Sequence, residues 1–393
     1  MPTIPLTIPK NIDKYFYNRE NDIKKIKFYL NGLNENIPQQ LLLTGYRGVG
    51  KTFLLQKIKK DYESDFLVTY IDIFKIYSKF GGKLNSEAIL LEMLDDFNNH
   101  IKGNENSNLK KLYMDIKNFK NTILRKKFDF KESGNTLGIA IPSFEEKYNK
   151  LSDYVMNLPQ KIIDNSEYKG FIIIIDEFQL IKEVENPNAF FGLIRSYAQF
   201  QSNVAYIITG STSRTSDVVE MINGENGAFG GRMIQINIDP FTKEETKNYF
   251  KDRLDIKFTK EGFDQFYKCT RGIPAYINNF YNIMSKDIVY DAENIKNIFR
   301  ENNEQILVMW IRIWGTLNNY EKNILISLCV NGKSKWTNII ENTKISKNTL
   351  NNNLSNLKNK GIIEYTKPYY FIQDNMLKTW ILQEKERNGF YPL

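Results

Sequence analysis

Five short, nearly continuous apolar runs punctuate the first two-thirds of the chain: Gln40–Thr44, Phe66–Asp72, Phe171–Ile175, Val204–Gly210 and Met233–Ile238. Each has a strand's length, is rich in β-branched residues and is bounded by polar ones. Helical spacing separates them, as in Asn18–Leu30 (Ile23, Ile26 and Leu30), Thr52–Lys60 and Ser86–Asn99. Strands apolar on both faces, alternating with amphipathic helices, predict a parallel sheet covered by helices on either side. Between the second and third runs, residues 85–168 form an insertion with a Lys-rich segment. Within it, Phe128–Phe144 alternates around Glu132-Ser133-Gly134-Asn135 and predicts a β-hairpin. A helix over about Glu145–Asn165 follows, which Pro159 is expected to kink or divide.

From Thr242 to about Ile313 the pattern is purely helical. Helices at Glu321–Val330, Trp336–Glu341 and Ser346–Lys360 come next, the last with Ser346 as N-cap and Gly361 as its stop, then a two-stranded ribbon over Ile362–Phe371. Three helices and a ribbon are the order of a winged helix, whose third helix would enter a major groove. The expected division is a core at 1–240, a helical unit at 241–313 and a winged-helix unit at 314–393.

Charge changes this picture at one end. The 393 residues carry a net +8, and residues 311–393 hold twelve Lys/Arg against six Asp/Glu, so +6 of the excess sits in the last fifth. That asymmetry suits a partner such as double-stranded DNA. On the third helix Lys347, Asn348, Asn352, Lys358 and Lys360, and Lys367 in the ribbon, are the candidate DNA contacts, with Leu350, Leu354 and Leu357 as the core stripe. Two cysteines, Cys269 and Cys329, exclude a disulfide framework and a zinc ribbon, and read as small core residues. The single histidine, His100, excludes most histidine metal sites and reads as solvated. The longest apolar run is too short to span a membrane, and no secretory leader is visible, so the expected setting is cytoplasmic.

Gly45-Tyr46-Arg47-Gly48-Val49-Gly50-Lys51-Thr52 fits G-x-x-x-x-G-K-[ST], after one predicted strand and before one predicted helix. The glycines let successive N–H groups turn toward phosphate oxygens at a helix N-terminus. Lys51, expected to face solvent, would reach the β- and γ-phosphates of ATP, and Thr52 would offer its hydroxyl to Mg²⁺. A second apolar strand ends in Asp176-Glu177: Asp176 for Mg²⁺, Glu177 as base toward the attacking water. Carboxylates on a separate strand indicate the branch with one more strand between the two motif strands, Val204–Thr209, whose end offers Thr209 or Ser211 as a phosphate sensor. Arg232 is the foremost candidate for offsetting transition-state charge in its own or a neighbouring subunit; Arg195 and Arg214 are weaker. Gln179 would orient Glu177.

Phe16-Tyr17-Asn18-Arg19-Glu20, the phosphate loop, Asp176-Glu177-Phe178-Gln179, Thr209-Gly210-Ser211 and Gly231-Arg232 together resemble the archaeal ATPase family, itself similar to the STAND and origin-recognition-like branches of the AAA+ class. The resemblance implies an AAA+ (ASCE-type) sheet with a helical lid. It places Arg19 near the nucleotide, and Pro274 of Thr270-Arg271-Gly272-Ile273-Pro274 beside the adenine. Unlike the initiator pattern, no arginine follows that glycine within a few residues, which favours a nucleotide-controlled switch. Three functions follow as expectations: an ATPase switch moving a winged helix on DNA, a DNA-binding regulator with structural ATP, and a signalling scaffold that forms homo-oligomers on ATP and docks a protein.

Overall fold

A computed structural model describes residues 8–128, 144–210, 217–225 and 227–392. β1 (Leu41–Gly45), β2 (Leu67–Asp72), β3 (Phe171–Asp176), β4 (Val204–Thr209) and β5 (Ile234–Ile238) form one parallel sheet in the order β2-β3-β4-β1-β5. Side chains alternate across a strand, so an all-isoleucine run serves two cores at once. Ile172 and Ile174 join Leu41, Leu43 and Ile207 under the helices Glu20–Leu30 and Lys51–Tyr62. Ile173 and Ile175 join Leu42, Tyr206 and Ile208 on the opposite face, against Ser86–Ile101, Phe144–Asp164 and Pro187–Ala198.

In the insertion, the Lys-rich segment is a helix, Ser107–Phe128. Leu109, Ile116 and Ile123 are buried at seven-residue intervals, while Lys110, Lys111 and Lys117 are exposed. The alternating stretch around Glu132–Asn135 lies outside the described residues. Pro159 does not divide its helix: Val155, Met156, Leu158 and Ile162 are buried on the same core and hold both halves in line despite the lost backbone donor.

The lid is not purely helical. Among its helices, Lys243–Tyr249, Lys260–Thr270, Pro274–Tyr281, Ala292–Glu301 and Val308–Thr316, two strands of two residues each, β6 (Lys257–Phe258) and β7 (Val289–Tyr290), pair in parallel. Two residues are too few for a period of two to register in sequence. Within the lid, Gly272 packs against Phe241 at the lid's first residue, its carbonyl accepting from Phe241 N–H at 2.9 Å. Its φ is +71°, and a Cβ there would lie 1.8 Å from the Phe241 oxygen, so glycine is required.

The C-terminal helices are Asn319–Asn331, Trp336–Thr343 and Lys347–Asn359, the last with the Thr349 N–H donating to the Ser346 hydroxyl at 3.3 Å. The ribbon has three strands rather than two: β8 (Ser334–Lys335) pairs with β10 (Tyr369–Ile372), which pairs with β9 (Ile363–Thr366), all antiparallel. A final helix, Asn375–Asn388, returns toward the lid. Leu350, Leu354 and Leu357 are buried, and one apolar cluster runs unbroken from Phe241 through Trp310 to Ile381, with Trp314 edge-on to Trp380 at 5.3 Å. Helix Lys347–Asn359 also lies against Asp217–Asn223 of the core.

One expected DNA contact has another occupation. Lys360 donates to the Glu321 carboxylate at 2.8 Å, and Glu321 is only 1% exposed. The other carboxylate oxygen of Glu321 accepts from Asn318 N–H at 3.0 Å. A buried carboxylate needs its countercharge, which a lysine chosen only for position on a helix would not reveal. Lys360→Ala should therefore destabilise this half of the molecule by about 1–3 kcal/mol, whereas Lys367→Ala, at the exposed ribbon tip, should leave stability within about 0.5 kcal/mol. All four tryptophans lie in the lid and C-terminal unit (Trp310, Trp314, Trp336 and Trp380), so denaturant unfolding followed by tryptophan fluorescence reads this contrast.

Candidate active site

Gly45 ends β1 and Lys51 begins the next helix, so the loop between them turns at the carboxyl edge of the sheet. Gly45, Gly48 and Gly50 all have positive φ (+155°, +83° and +96°), and nothing lies within 4 Å of where a Cβ of Gly50 would sit. This open, glycine-turned backbone at a helix N-terminus is a cradle for phosphate oxygens.

Lys51 is not solvent-facing: it is 5% exposed, its ammonium donating to the Gly45 and Tyr46 carbonyls at 2.8 and 3.1 Å. Burial pushes its pKa down to about 8, against the pull of the Glu177 and Asp176 carboxylates. The loop is braced from behind. Arg19 donates to the Val49 carbonyl at 2.8 Å and the Asp239 carbonyl at 2.8 Å, pairs with Asp22 at 3.1 Å, and stacks over Phe241. Arg19 thus clamps the loop to the end of β5. Pro274 opens a lid helix whose next residue, Ala275, donates its N–H to the Gly48 carbonyl at 3.1 Å. A cavity of about 610 Å³ lies in front of the clamp, lined by Tyr17, Arg19, Lys51, Thr52, Pro274 and Arg312.

A second hollow, about 340 Å³, holds Thr52, Tyr70, Asp72, Asp176, Glu177 and Arg47. Here the two motifs meet: the Thr52 hydroxyl, at the start of the helix after the loop, donates to Asp176 at the end of β3 at 3.1 Å. The Tyr70 hydroxyl donates to the same oxygen, and the other accepts from Glu177 N–H at 2.8 Å. Burial raises the Asp176 pKa, opposed by the Tyr70 hydrogen bond. Glu177 sits at φ +54°, a costly conformation for a residue with a Cβ, and takes a hydrogen bond from the Gln179 amide. That strain aims its carboxylate away from the run of β3. The side-chain oxygen of Gln179 is buried without a partner; it lies 2.1 Å from where a Cβ of Gly210 would stand, so glycine there leaves it room.

β4 lies between β3 and β1, and Thr209 at its tip pairs in register with Leu43. The Thr209 hydroxyl is fully buried and has no hydrogen-bond partner among the described residues, which suits a site that receives a phosphate oxygen. Ser211 and Arg214 lie outside the described residues. Arg195 is structural, donating to the Ala228 carbonyl at 2.7 Å. Arg232 is exposed and precedes β5, at the end of the sheet away from the loop: Ile234 is level with Leu41, and Ile238 with Gly45. Four strand residues, about 13 Å, separate those levels, so Arg232 is not beside its own phosphate loop.

His100 is not simply solvated; it is half-buried edge-on to Phe171, and burial lowers its pKa. Cys269 and Cys329 are half-buried, and burial raises both thiols. Among the described residues no group of three His, Cys, Asp or Glu could hold a metal; Thr52 and Asp176 are a hydroxyl–carboxylate pair, which could hold Mg²⁺ only with phosphate oxygens completing its shell. No helix among them is long and apolar enough to cross a membrane. Tyr70, Arg312 and Asp374 escaped the sequence reading because none lies in a motif; only the chain's folding brings them here.

Residues 16–280 match the model of an ATPase domain predominantly from Archaea. No curated protein matches the chain. Among solved structures, the Walker-type ATPase of Pyrococcus abyssi is similar in fold, with a TM-score of 0.59 at 17% identity over 94% of this chain and 97% of that one. The Aeropyrum pernix ORC1 protein in complex with DNA gives 0.49 at 12% identity over 97% and 96%. The ORC2 protein of the same organism gives 0.46 at 10% over 99% of each; both are too remote to bear on function. Matched across the phosphate loop, the acidic strand and the start of the lid, the chain belongs to the family of ATPase domains found predominantly in Archaea.

Proposed function

We propose that the chain binds ATP with Mg²⁺, hydrolyses it slowly, and uses the nucleotide state as a switch for its C-terminal unit. The reading divides the chain into an ATPase core at 1–240, a lid at 241–313 and a winged-helix unit at 314–393, working in the cytoplasm. The observation that carries it is the meeting of Thr52, at the start of the helix after the phosphate loop, and Asp176, at the end of β3, at 3.1 Å, with Glu177 adjoining and the Thr209 hydroxyl without a partner among the described residues. Mg²⁺, when bound, neutralises charge on the phosphate oxygens.

The remaining roles belong to the chain's residues. Lys51 turns from the Gly45 and Tyr46 carbonyls to the β- and γ-phosphates. Thr52 and Asp176 hold the metal, with Tyr70 keeping the carboxylate in place. Glu177 accepts a proton from the attacking water, and Gln179 keeps it aimed. Thr209 offers its hydroxyl to the γ-phosphate. Phe16, Tyr17 and Pro274 enclose the base, while Arg19 fixes the loop that they flank. Arg232, exposed and distant from its own loop, serves a neighbour's site in a homo-oligomer.

For the C-terminal unit we propose double-stranded DNA as partner. The +6 excess supports it, as do exposed Lys347, Asn348 and Asn352 on one helix and Lys367 at the ribbon tip. Lys360 is already engaged in an ion pair with Glu321.

Lys51→Ala should abolish tight ATP binding in equilibrium dialysis, and retained affinity would refute the loop assignment. Glu177→Gln should still bind ATP but turn over about 10²–10⁴-fold more slowly, because the amide cannot accept the proton. Arg232→Ala should also be slow, and mixing it with Glu177→Gln should restore part of the activity, since the second protein supplies the arginine that the first lacks. A mixture no faster than its components would remove the neighbouring-subunit role. Duplex binding should weaken with salt, and Lys347→Ala or Lys367→Ala should each flatten the log–log salt slope by about one unit. No binding at low salt would leave the C-terminal unit as a protein-docking element.

A further inference from the structure

A single carboxylate ties the phosphate loop to the C-terminal unit. Asp374, 3% exposed, precedes the final helix and caps it through one oxygen, which accepts from Leu377 N–H at 3.0 Å. Its other oxygen accepts three hydrogen bonds from three parts of the chain: the Tyr46 hydroxyl of the phosphate loop at 3.0 Å, the Tyr276 hydroxyl of the lid, and the Trp310 indole N–H at 2.8 Å. Beside this node, Arg271 of the lid donates to the Gln373 carbonyl at 3.4 Å. A buried carboxylate depends on such donors, and each bond to it is of the stronger, charge-assisted kind.

Tyr46 is held at both ends. Its backbone carbonyl accepts from Lys51, and its hydroxyl is on Asp374. The Lys51 ammonium has three N–H donors, so it cannot keep both the Gly45 and Tyr46 carbonyls and also reach two phosphates, and its longer bond, 3.1 Å to Tyr46, is the one to yield. Turning Lys51 outward frees the backbone of the residue whose side chain holds Asp374. The same docked arrangement sets helix Lys347–Asn359 against Asp217–Asn223 of the core.

We propose that Tyr46 is a positioning residue of the phosphate loop, and that Asp374 docked on it favours the nucleotide-free loop, so that nucleotide binding and docking of the C-terminal unit oppose one another. The proposal rests on the nucleotide-binding reading above and adds its route and its sign. Coupling of this kind is reciprocal: whatever loosens the dock must tighten the nucleotide.

The test combines affinity for magnesium with a non-hydrolysable ATP analogue and amide hydrogen exchange over residues 374–381, on the full chain. In the parent, the analogue should speed exchange there. Tyr46→Phe keeps the ring against Trp310 and removes only the hydroxyl. It should bind the analogue roughly three- to tenfold more tightly, the loss of about one hydrogen bond, and show a smaller analogue-induced change in exchange. Tyr276→Phe removes a donor from the same carboxylate without touching the loop. It should speed exchange with and without the analogue while keeping the difference between them. Bound analogue with unchanged exchange in the parent overturns the coupling alone, as does identical behaviour of the two variants. Failure of the parent to bind the analogue overturns the nucleotide reading, and the coupling with it. Should Tyr46→Phe not fold, the parent's response decides.

Discussion

Keeping an ammonium out of water at the edge of a sheet of isoleucines is the constraint on which the rest of this structure depends. Lys51 begins a helix whose underside is core, so it cannot reach bulk solvent, and its partners are carbonyl oxygens of its own loop. Those carbonyls face inward only because three glycines take positive φ. The backbone so arranged would not hold by itself. Arg19 grips it through Val49, the lid through Gly48, and the C-terminal unit through Tyr46. Each part of the chain therefore has a hand on one eight-residue turn.

Much of this was legible in the sequence, for reasons that differ by region. The five strands were legible because a buried parallel strand must be apolar on both faces, and the two motifs because phosphate and metal demand particular residues at fixed spacing. The phosphate loop and the acidic pair were found with their neighbours in order, and the strand between them was placed correctly. What the residues do when no ligand is present was not legible. Burial of Lys51, the strain at Glu177 and the clamp made by Arg19 depend on partners up to 220 residues away in sequence. The helix Ser107–Phe128 was hidden by its lysines, since among its described side chains only Leu109, Ile116 and Ile123 are buried. The ion pair of Lys360 was not legible because its neighbour in space, Glu321, is 39 residues distant, nor was the distance of Arg232 from its own loop, which depends on the register of β5 against β1.

The boundary between lid and C-terminal unit carries a similar lesson. A change from one helical pattern to another suggested a joint near residue 313, yet the apolar cluster passes through that point without a break, from Trp310 and Trp314 to Trp380 and Ile381. Two tryptophans on Val308–Thr316 close both halves. The polar contact with the phosphate loop is small beside this shared core. A displacement of the C-terminal unit is therefore cheapest if the lid travels with it.

The position of Arg232 has a consequence for symmetry. A two-fold dimer joins one patch to a copy of itself, and Arg232 and the phosphate loop stand at opposite ends of the parallel strands. Were Arg232 to serve a neighbour's loop as proposed, unlike surfaces would pair head to tail, leaving each subunit with one surface satisfied and one open. Such an interface repeats until geometry stops it. If the rotation per subunit divides a full circle the result is a ring with every site complete; if it does not, the result is a helical filament whose terminal site always lacks its arginine.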